Sequence, residues 1–263
     1  MWQELRNELH PKGLEIVTVG LDANVEAARD VISSNPPEHP SLIDQQHVLG
    51  ALFGVVNVPS GVWIDEQGMI VRPPEPAFPK PSPLLDAPIP EGLPDMVREM
   101  LQEAKKIKAE PELYVSALRD WVERGSESAY ALPPDEVIER SRPRPIEEAT
   151  AAAHFELGEH LHAQGNVERA AHHWREAHRL HPENWTYKRQ AWSLADPVQG
   201  PTDLYEGSWL GDVRKIGAEN YYPPLDMEPA NGSKETNVRP PGKCLVVELL
   251  WRPRADSNRR SPP

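Results

Sequence analysis

The sequence of 263 residues contains one cysteine, Cys244, so an intramolecular disulfide and a Cys-x-x-Cys pair are both excluded within the chain. No window of about 18 consecutive apolar residues occurs, and the sequence therefore predicts no membrane span. Basic residues are scarce as well. The 28 Lys and Arg stand against 41 Asp and Glu, a net charge of −13, which argues against a general affinity for nucleic acid or anionic lipid.

The N-terminus also has no basic and apolar leader, because residues 1–13 are amphipathic, with Leu5 and Leu9 at helical spacing. The absence of a signal peptide predicts a cytoplasmic protein. If residues are missing upstream of Met1, the location is unknown. No feature of the sequence indicates an oligomeric state.

Proline, in contrast, is abundant, with 30 residues, and nine of them fall in residues 73–94. Each proline ring fixes φ and removes a hydrogen-bond donor, so this segment is predicted to be an extended connector between a domain over residues 1–72 and a helical region over 95–227. Its PxxP spacings allow a second hypothesis, an SH3-like protein partner. An irregular connector on the surface is the favoured interpretation.

Residues 1–72 have the pattern of an α/β domain. A buried strand is predicted over 14–22, and Asn24 is placed to cap a helix over 25–33. Residues 41–55 predict a further helix, and residues 61–71 predict a β-hairpin. The predicted order is α–β–α–α–β–β.

The helical region is predicted to contain two helices over 95–125 and three over 142–194. Residues 228–263 have a different character, with seven Lys or Arg, four Asp or Glu and no periodicity, and they predict a disordered tail of net charge +3. A second hypothesis is sequence that was never selected to fold. In either case Cys244 is not expected to be catalytic, because a nucleophilic thiol needs a fixed electropositive environment.

Residues 151–184 resemble one tetratricopeptide repeat, a helix pair with small and large residues at fixed positions. The matching residues are Leu157, Gly158, Leu161, Gly165, Ala170, Trp174, Ala177 and Pro182. The main departure is His154, which stands where the repeat has a large aromatic residue. No second repeat follows, so packing on its own domain is favoured over a peptide-binding groove.

Seven of the ten histidines lie in this helical stretch. Two pairs have spacings that bring ligands together on a helix: Glu156 with His160, and His178 with His181. No HExxH or Cys/His finger spacing occurs, and His160 and His162 point to different sides of a helix. We therefore predict no metal and no other cofactor.

The stretch V-P-S-G-V-W-I-D-E-Q-G-M-I, residues 58–70, together with the element order before it, resembles the thioredoxin-like superfamily. Its nearest members in pattern are the TlpA/ResA-like thiol-disulfide oxidoreductases and their peroxiredoxin-like relatives. The resemblance implies a cis peptide bond between Val58 and Pro59. It also implies that Val58, Pro59 and Ser60 bind the backbone of a substrate. An ordinary trans proline at the start of a strand is the alternative.

In this family a W-x-x-x-C-x-x-C motif follows a strand inside the sheet, and both the motif and its strand would precede Met1. The domain is therefore expected to be an incomplete thioredoxin-like fold, inactive in thiol-disulfide or peroxide chemistry. Three arrangements remain open: an incomplete chain, direct pairing of the two exposed strands, or a strand from a partner. The alternative function is a non-catalytic adaptor that binds a peptide or protein through the helical region.

Overall fold

The computed structural model describes residues 2–82, 87–141, 143–195, 202–227 and 244–250. Its helices, in chain order, are α1 Trp2–Leu9, α2 Val25–Ser34, α3 Val48–Phe53, α4 Asp95–Ala104, α5 Pro111–Arg124, α6 Pro134–Arg140, α7 Ile146–Ala163, α8 Val167–Leu180, α9 Trp185–Ala195 and α10 Trp209–Ile216. Its strands are β1 Leu14–Leu21, β2 Ser41–Asp44, β3 Ser60–Ile64, β4 Ile70–Pro76 and β5 Cys244–Leu250. The fold is mixed α/β, as predicted.

The five strands form one mixed sheet in the order β2-β1-β5-β3-β4. Strand β1 pairs in parallel with β2 and with β5, while β3 pairs antiparallel with β5 and β4. The hairpin predicted over residues 61–71 is confirmed by the β3–β4 pair. The predicted helix cap is confirmed too, since the Asn24 side chain accepts a hydrogen bond from the backbone N–H of Ala27.

Strand β5 corrects the prediction of a disordered tail. Residues Cys244–Leu250 pair along β1 from Leu14 to Gly20 and along β3 from Ile64 to Ser60, so they form the central strand of the sheet. Both faces of β5 are covered, with Val246 buried on one and Leu249 on the other, so the strand needs no polar alternation. The apolar run C-L-V-V-E-L-L has this composition, although its position near the end of a basic segment pointed to disorder. The rest of residues 228–263 lies outside the described residues.

Two other predictions differ from the structure. The helix predicted over residues 41–55 is shorter, because Ser41–Asp44 extends beside β1 as an edge strand and only Val48–Phe53 is helical. Strand β4 reaches Pro76, so the start of the predicted connector belongs to the sheet. Prolines are tolerated there since β4 is an edge strand with one unpaired side.

Apolar side chains from β5 enter two cores, one on each face of the sheet. Val246 is fully buried among α1, α5 and Trp63, and Leu249 is fully buried with Val19, Leu21 and Val58. A third core joins α7, α8, α9 and α10. The α/β part and the helical part are therefore both well packed, and β5 completes the first of them.

Helices α7 and α8, which carry the residues of the repeat-like motif, pack against each other. A Cβ atom placed on Gly158 would lie 2.6 Å from Cδ1 of Trp174, so only glycine allows this approach. Ala170, Ala177 and Leu161 are buried. Gly165 forms the turn with φ of +79°, and Pro182 follows α8. Leu157 differs from the prediction: it is 42 % exposed and contributes little to the core.

No helix among the described residues is long and apolar enough to cross a membrane, in agreement with the prediction of no membrane span.

Candidate functional site

The candidate site lies where β1, β2 and β5 end and β3 begins. Because β1, β2 and β5 are parallel and β3 runs against β5, Asp22, Asp44, Leu250 and Ser60 all lie at one edge of the sheet. We call this set, with Pro59, the Pro59 edge. In open α/β sheets, ligands bind beyond the carboxyl ends of parallel strands, which makes this edge the first place to look for a function.

The peptide bond between Val58 and Pro59 is cis, as the resemblance implies, and the alternative of a trans proline is excluded. Ser60, the first residue of β3, pairs with Leu249 on one side and with Pro76 on the other. Pro59 thus lies beside the end of β5, in the middle of the sheet.

The backbone of Val58 already has partners within the chain. Its N–H donates to Oδ1 of Asn57 at 2.9 Å, and its carbonyl accepts from the hydroxyl of Tyr222 at 2.8 Å. Val58 and Ser60 are buried, and the Ser60 hydroxyl donates to the carbonyl of Glu75. The structure therefore brings the three predicted binding residues together, but it leaves no polar group of the Val58 backbone open to a substrate.

The helical region packs against the Pro59 edge. The carbonyl of Val56 accepts hydrogen bonds from the first two N–H groups of α9, Trp185 at 2.7 Å and Thr186 at 3.3 Å. The Asn57 amide donates to the carbonyl of Tyr221 at 2.9 Å. These contacts cap the start of α9, where N–H groups have no partner inside the helix.

Cys244 lies at the opposite end of the sheet from Pro59. It pairs with Leu14 at the start of β5 and is 7 % exposed. Leu249, the partner of Ser60, is five residues further along the strand, which corresponds to about 17 Å at the rise of a β-strand. The thiol is therefore far from the Pro59 edge.

No protein-family model matches the chain. Searches of curated proteins and of solved structures find no match either.

A buried acid, Glu159 on α7, faces the Pro59 edge. It is 9 % exposed and accepts a hydrogen bond from Nε1 of Trp174 at 3.1 Å. Burial raises the pKa of Glu159 to about 8, the bond from Trp174 opposes that rise, and the negative charge of Asp22 adds to it. Asp22 itself is 5 % exposed at the end of β1. Near neutral pH the Glu159 carboxyl is held protonated.

His47 is a second buried polar group of the same contact region. Its backbone is left-handed, with φ of 55°, and its ring lies edge-on to Phe155 of α7 at 5.0 Å between centroids. Nε2 of His47 lies 3.3 Å from Oε1 of Gln190, which also accepts from the N–H of Ala23. Burial lowers the pKa of His47 to about 4, so the ring is neutral. His47 and Gln190 thus connect the sheet to α7 and α9.

Sequence reasoning missed these residues. The hydrophobic periodicity of α7 and α9 does not determine whether Glu159 and Gln190 are buried or exposed. His47 belongs to no sequence motif. One signal was available: Asp22 directly follows a buried strand, where α/β proteins place functional polar groups.

An open cavity of about 490 Å³ adjoins Asn57. Trp185 and Tyr221 supply aromatic walls, while Lys188, Asp212 and Lys215 supply charged groups. Nζ of Lys188 lies 3.2 Å from the Asp212 carboxylate, which Lys215 also contacts at 3.0 Å. The cavity is thus lined by apolar rings on one side and by a small charge network on the other.

The histidines of the two spaced pairs lie in different surroundings. Among the described residues, no group of three or more His, Cys, Asp or Glu side chains is placed to hold a metal ion. His178 is partly buried and contacts the hydroxyl of Tyr205, and desolvation lowers its pKa to about 3. His160 is exposed and contacts Gln164.

Proposed function

We propose that this chain is a thioredoxin-like protein without thiol-disulfide activity of its own. The proposal is supported by the cis bond at Pro59 at the start of β3, and by the position of β5 between β1 and β3. That position is the one in which the family resemblance expects the strand before its reactive cysteines. Here the strand comes from the C-terminal part of the chain.

The observation that carries the absence of activity is the position of the only cysteine. Dithiol exchange needs a thiolate that attacks a disulfide sulfur. Cys244 is buried at the far end of β5, and no cysteine follows β5 in the sequence. An apolar environment also disfavours the thiolate that such a reaction requires.

The purified chain is expected to show no turnover of a dithiol or disulfide substrate above the uncatalysed rate. The measurement is reduction of insulin disulfides by dithiothreitol, followed by turbidity, with Cys244→Ser as the matched variant. Both proteins should give the background rate. A rate well above background in the native chain that disappears in Cys244→Ser would overturn the proposal.

A second candidate is an adaptor that binds an extended peptide in the cavity beside Asn57. The favouring observation is the combination of Trp185 and Tyr221 with Lys188, Asp212 and Lys215 around one opening of about 490 Å³. Lys215 is 77 % exposed at its side chain, so Lys215→Glu changes the charge of the cavity without disturbing a core.

Peptides selected from a display library for binding to the full chain should then bind the Lys215→Glu variant at least tenfold more weakly than they bind the native chain. Because no thiol takes part, reducing agent should leave the affinity unchanged. Selected peptides that bind Lys215→Glu as tightly as the native chain would exclude this cavity as the site.

A further inference from the structure

The histidine that departs from the repeat-like motif has a specific partner. His154 on α7 and His173 on α8 face each other, with 2.9 Å between their Nδ1 atoms and 5.1 Å between their ring centroids. Each helix thus contributes one imidazole nitrogen to the same point. A large aromatic residue at position 154 would provide no such group.

We propose that His154 and His173 form a two-histidine site for a late first-row divalent metal ion, Cu²⁺ or Ni²⁺ in preference to Zn²⁺. Imidazole nitrogen is a good ligand for each of these ions. Water molecules complete the coordination, since two side chains supply only two ligands.

The spacing of the nitrogens favours this choice. Two nitrogens that each lie about 2.0–2.1 Å from one metal are about 2.9 Å apart at a right angle and about 3.4 Å apart at the tetrahedral angle. The observed 2.9 Å is the length of the hydrogen bond that joins the two rings, and it equals the nitrogen spacing of the right angle in square-planar or octahedral coordination. Cu²⁺ and Ni²⁺ take these geometries, whereas Zn²⁺ prefers the tetrahedral one.

The helix pair holds the two rings at this distance. Gly158 and Trp174 pack without room for a Cβ atom, so α7 and α8 are in close contact one turn along α7 from His154 and directly after His173 on α8. Both imidazoles are only partly buried, which leaves a path for an ion from solvent. One ring must move its proton from Nδ1 to Nε2 before both Nδ1 atoms can bind the metal, and no net proton is released.

The surroundings are compatible with a bound cation. Burial, together with the neighbouring His154, His172 and Arg169, lowers the pKa of His173, and Glu176 opposes this shift. The carboxylate of Glu176 lies one helical turn after His173 and bonds to Arg179 at 2.7 Å. Glu176 adds negative charge next to the site and partly offsets the positive charge of Arg169.

The test is a calorimetric titration of the full chain, freed of metal by a chelator, with CuCl₂ at pH 7.5. We expect the tightest step to have a stoichiometry of one and to weaken at least tenfold in His154→Gln and in His173→Gln. His160→Gln is the matched control, because His160 is an exposed histidine on the same helix as His154. It should leave the tightest step unchanged.

Equal weakening in all three variants would overturn the proposal, because it would mean that Cu²⁺ binds to histidines in general. No weakening in any variant would overturn it as well, because the tightest step would then lie elsewhere in the chain. Loss of helical circular dichroism in His154→Gln would make His173→Gln the deciding variant. As an independent readout, one equivalent of Cu²⁺ should broaden the NMR signals of the His154 and His173 rings before those of His160. Broadening of His160 first would contradict the site.

Discussion

A chain that ends at residue 243 is expected to lose its cooperative thermal unfolding transition. This deletion removes β5, the strand between β1 and β3. Circular dichroism would still report helix from the helical region, but the sheet would lack its centre. Exposed apolar surface should increase the fluorescence of a hydrophobic dye such as anilinonaphthalene sulfonate.

The expected effect is large because β5 stabilises the sheet in two ways. It pairs seven residues with β1 and five with β3, so its loss exposes two inner strand edges. Each buried backbone group left without a partner costs about 1–3 kcal/mol. The fully buried Val246 and Leu249 each add about 1.5–3 kcal/mol of apolar burial. Together these terms equal or exceed the typical stability of a whole domain, about 5–15 kcal/mol.

A chain that ends at Leu250 is the matched control, since it keeps every described pairing of the sheet. It should unfold cooperatively. A synthetic peptide of residues 241–251, added to the shorter chain, should restore part of the transition if the strand fits a preformed gap. Cooperative melting of the 1–243 chain at the same temperature as the 1–250 chain would show that β5 is not the central strand.

Local patterns predicted most elements but could not predict the order of the sheet. Leu14–Leu21 forms a strand because five of its eight residues are large and apolar, three of them β-branched, and Asn24 then caps a helix. That information lies within a few residues. The pairing of β5 with β1 joins residues about 230 positions apart, and no periodicity within the chain reports it. One of the three open arrangements, direct pairing of β1 with β3, is excluded by the position of β5.

The candidate site was predictable only where a motif reports a backbone geometry. The V-P-S-G stretch indicated the cis bond at Pro59. The partners of the Val56 and Val58 carbonyls could not be predicted, because Trp185 and Tyr222, which donate to them, come from distant parts of the chain. The helix predicted over residues 41–55 failed for a related reason: the pairing of Ser41–Asp44 with β1 outweighs local helix propensity.

Glu159 makes the stability of the chain depend on pH in a direction that follows from its burial. Its pKa in the folded protein is about 8, above the ordinary 4.5. A group with a raised pKa stabilises the fold fully below its unfolded pKa, and that contribution is lost as the pH rises through the folded value. The loss attributable to Glu159 therefore falls between about pH 4.5 and pH 8.

Glu159→Gln is expected to remove this loss. The glutamine amide has nearly the same shape, its Oε1 can accept the hydrogen bond from Trp174, and it carries no charge at any pH. The variant should be close to the native chain in stability at pH 5 and more stable at pH 8.5, by roughly 3–5 kcal/mol on the basis of the shift in pKa. Because Asp22 faces the same carboxyl, Asp22→Asn should reproduce a small part of the gain.

The measurement is the free energy of unfolding by urea at several pH values between 5 and 8.5. The quantity to compare is the difference between variant and native chain, since buried groups such as His47 and Glu75 contribute to both curves alike. Glu156→Gln, an exposed site on the same helix, is the matched control for the removal of one carboxyl group from α7. A flat difference for Glu159→Gln would mean that water reaches its carboxyl, and that the contact between α7 and the Pro59 edge is looser than the structure shows.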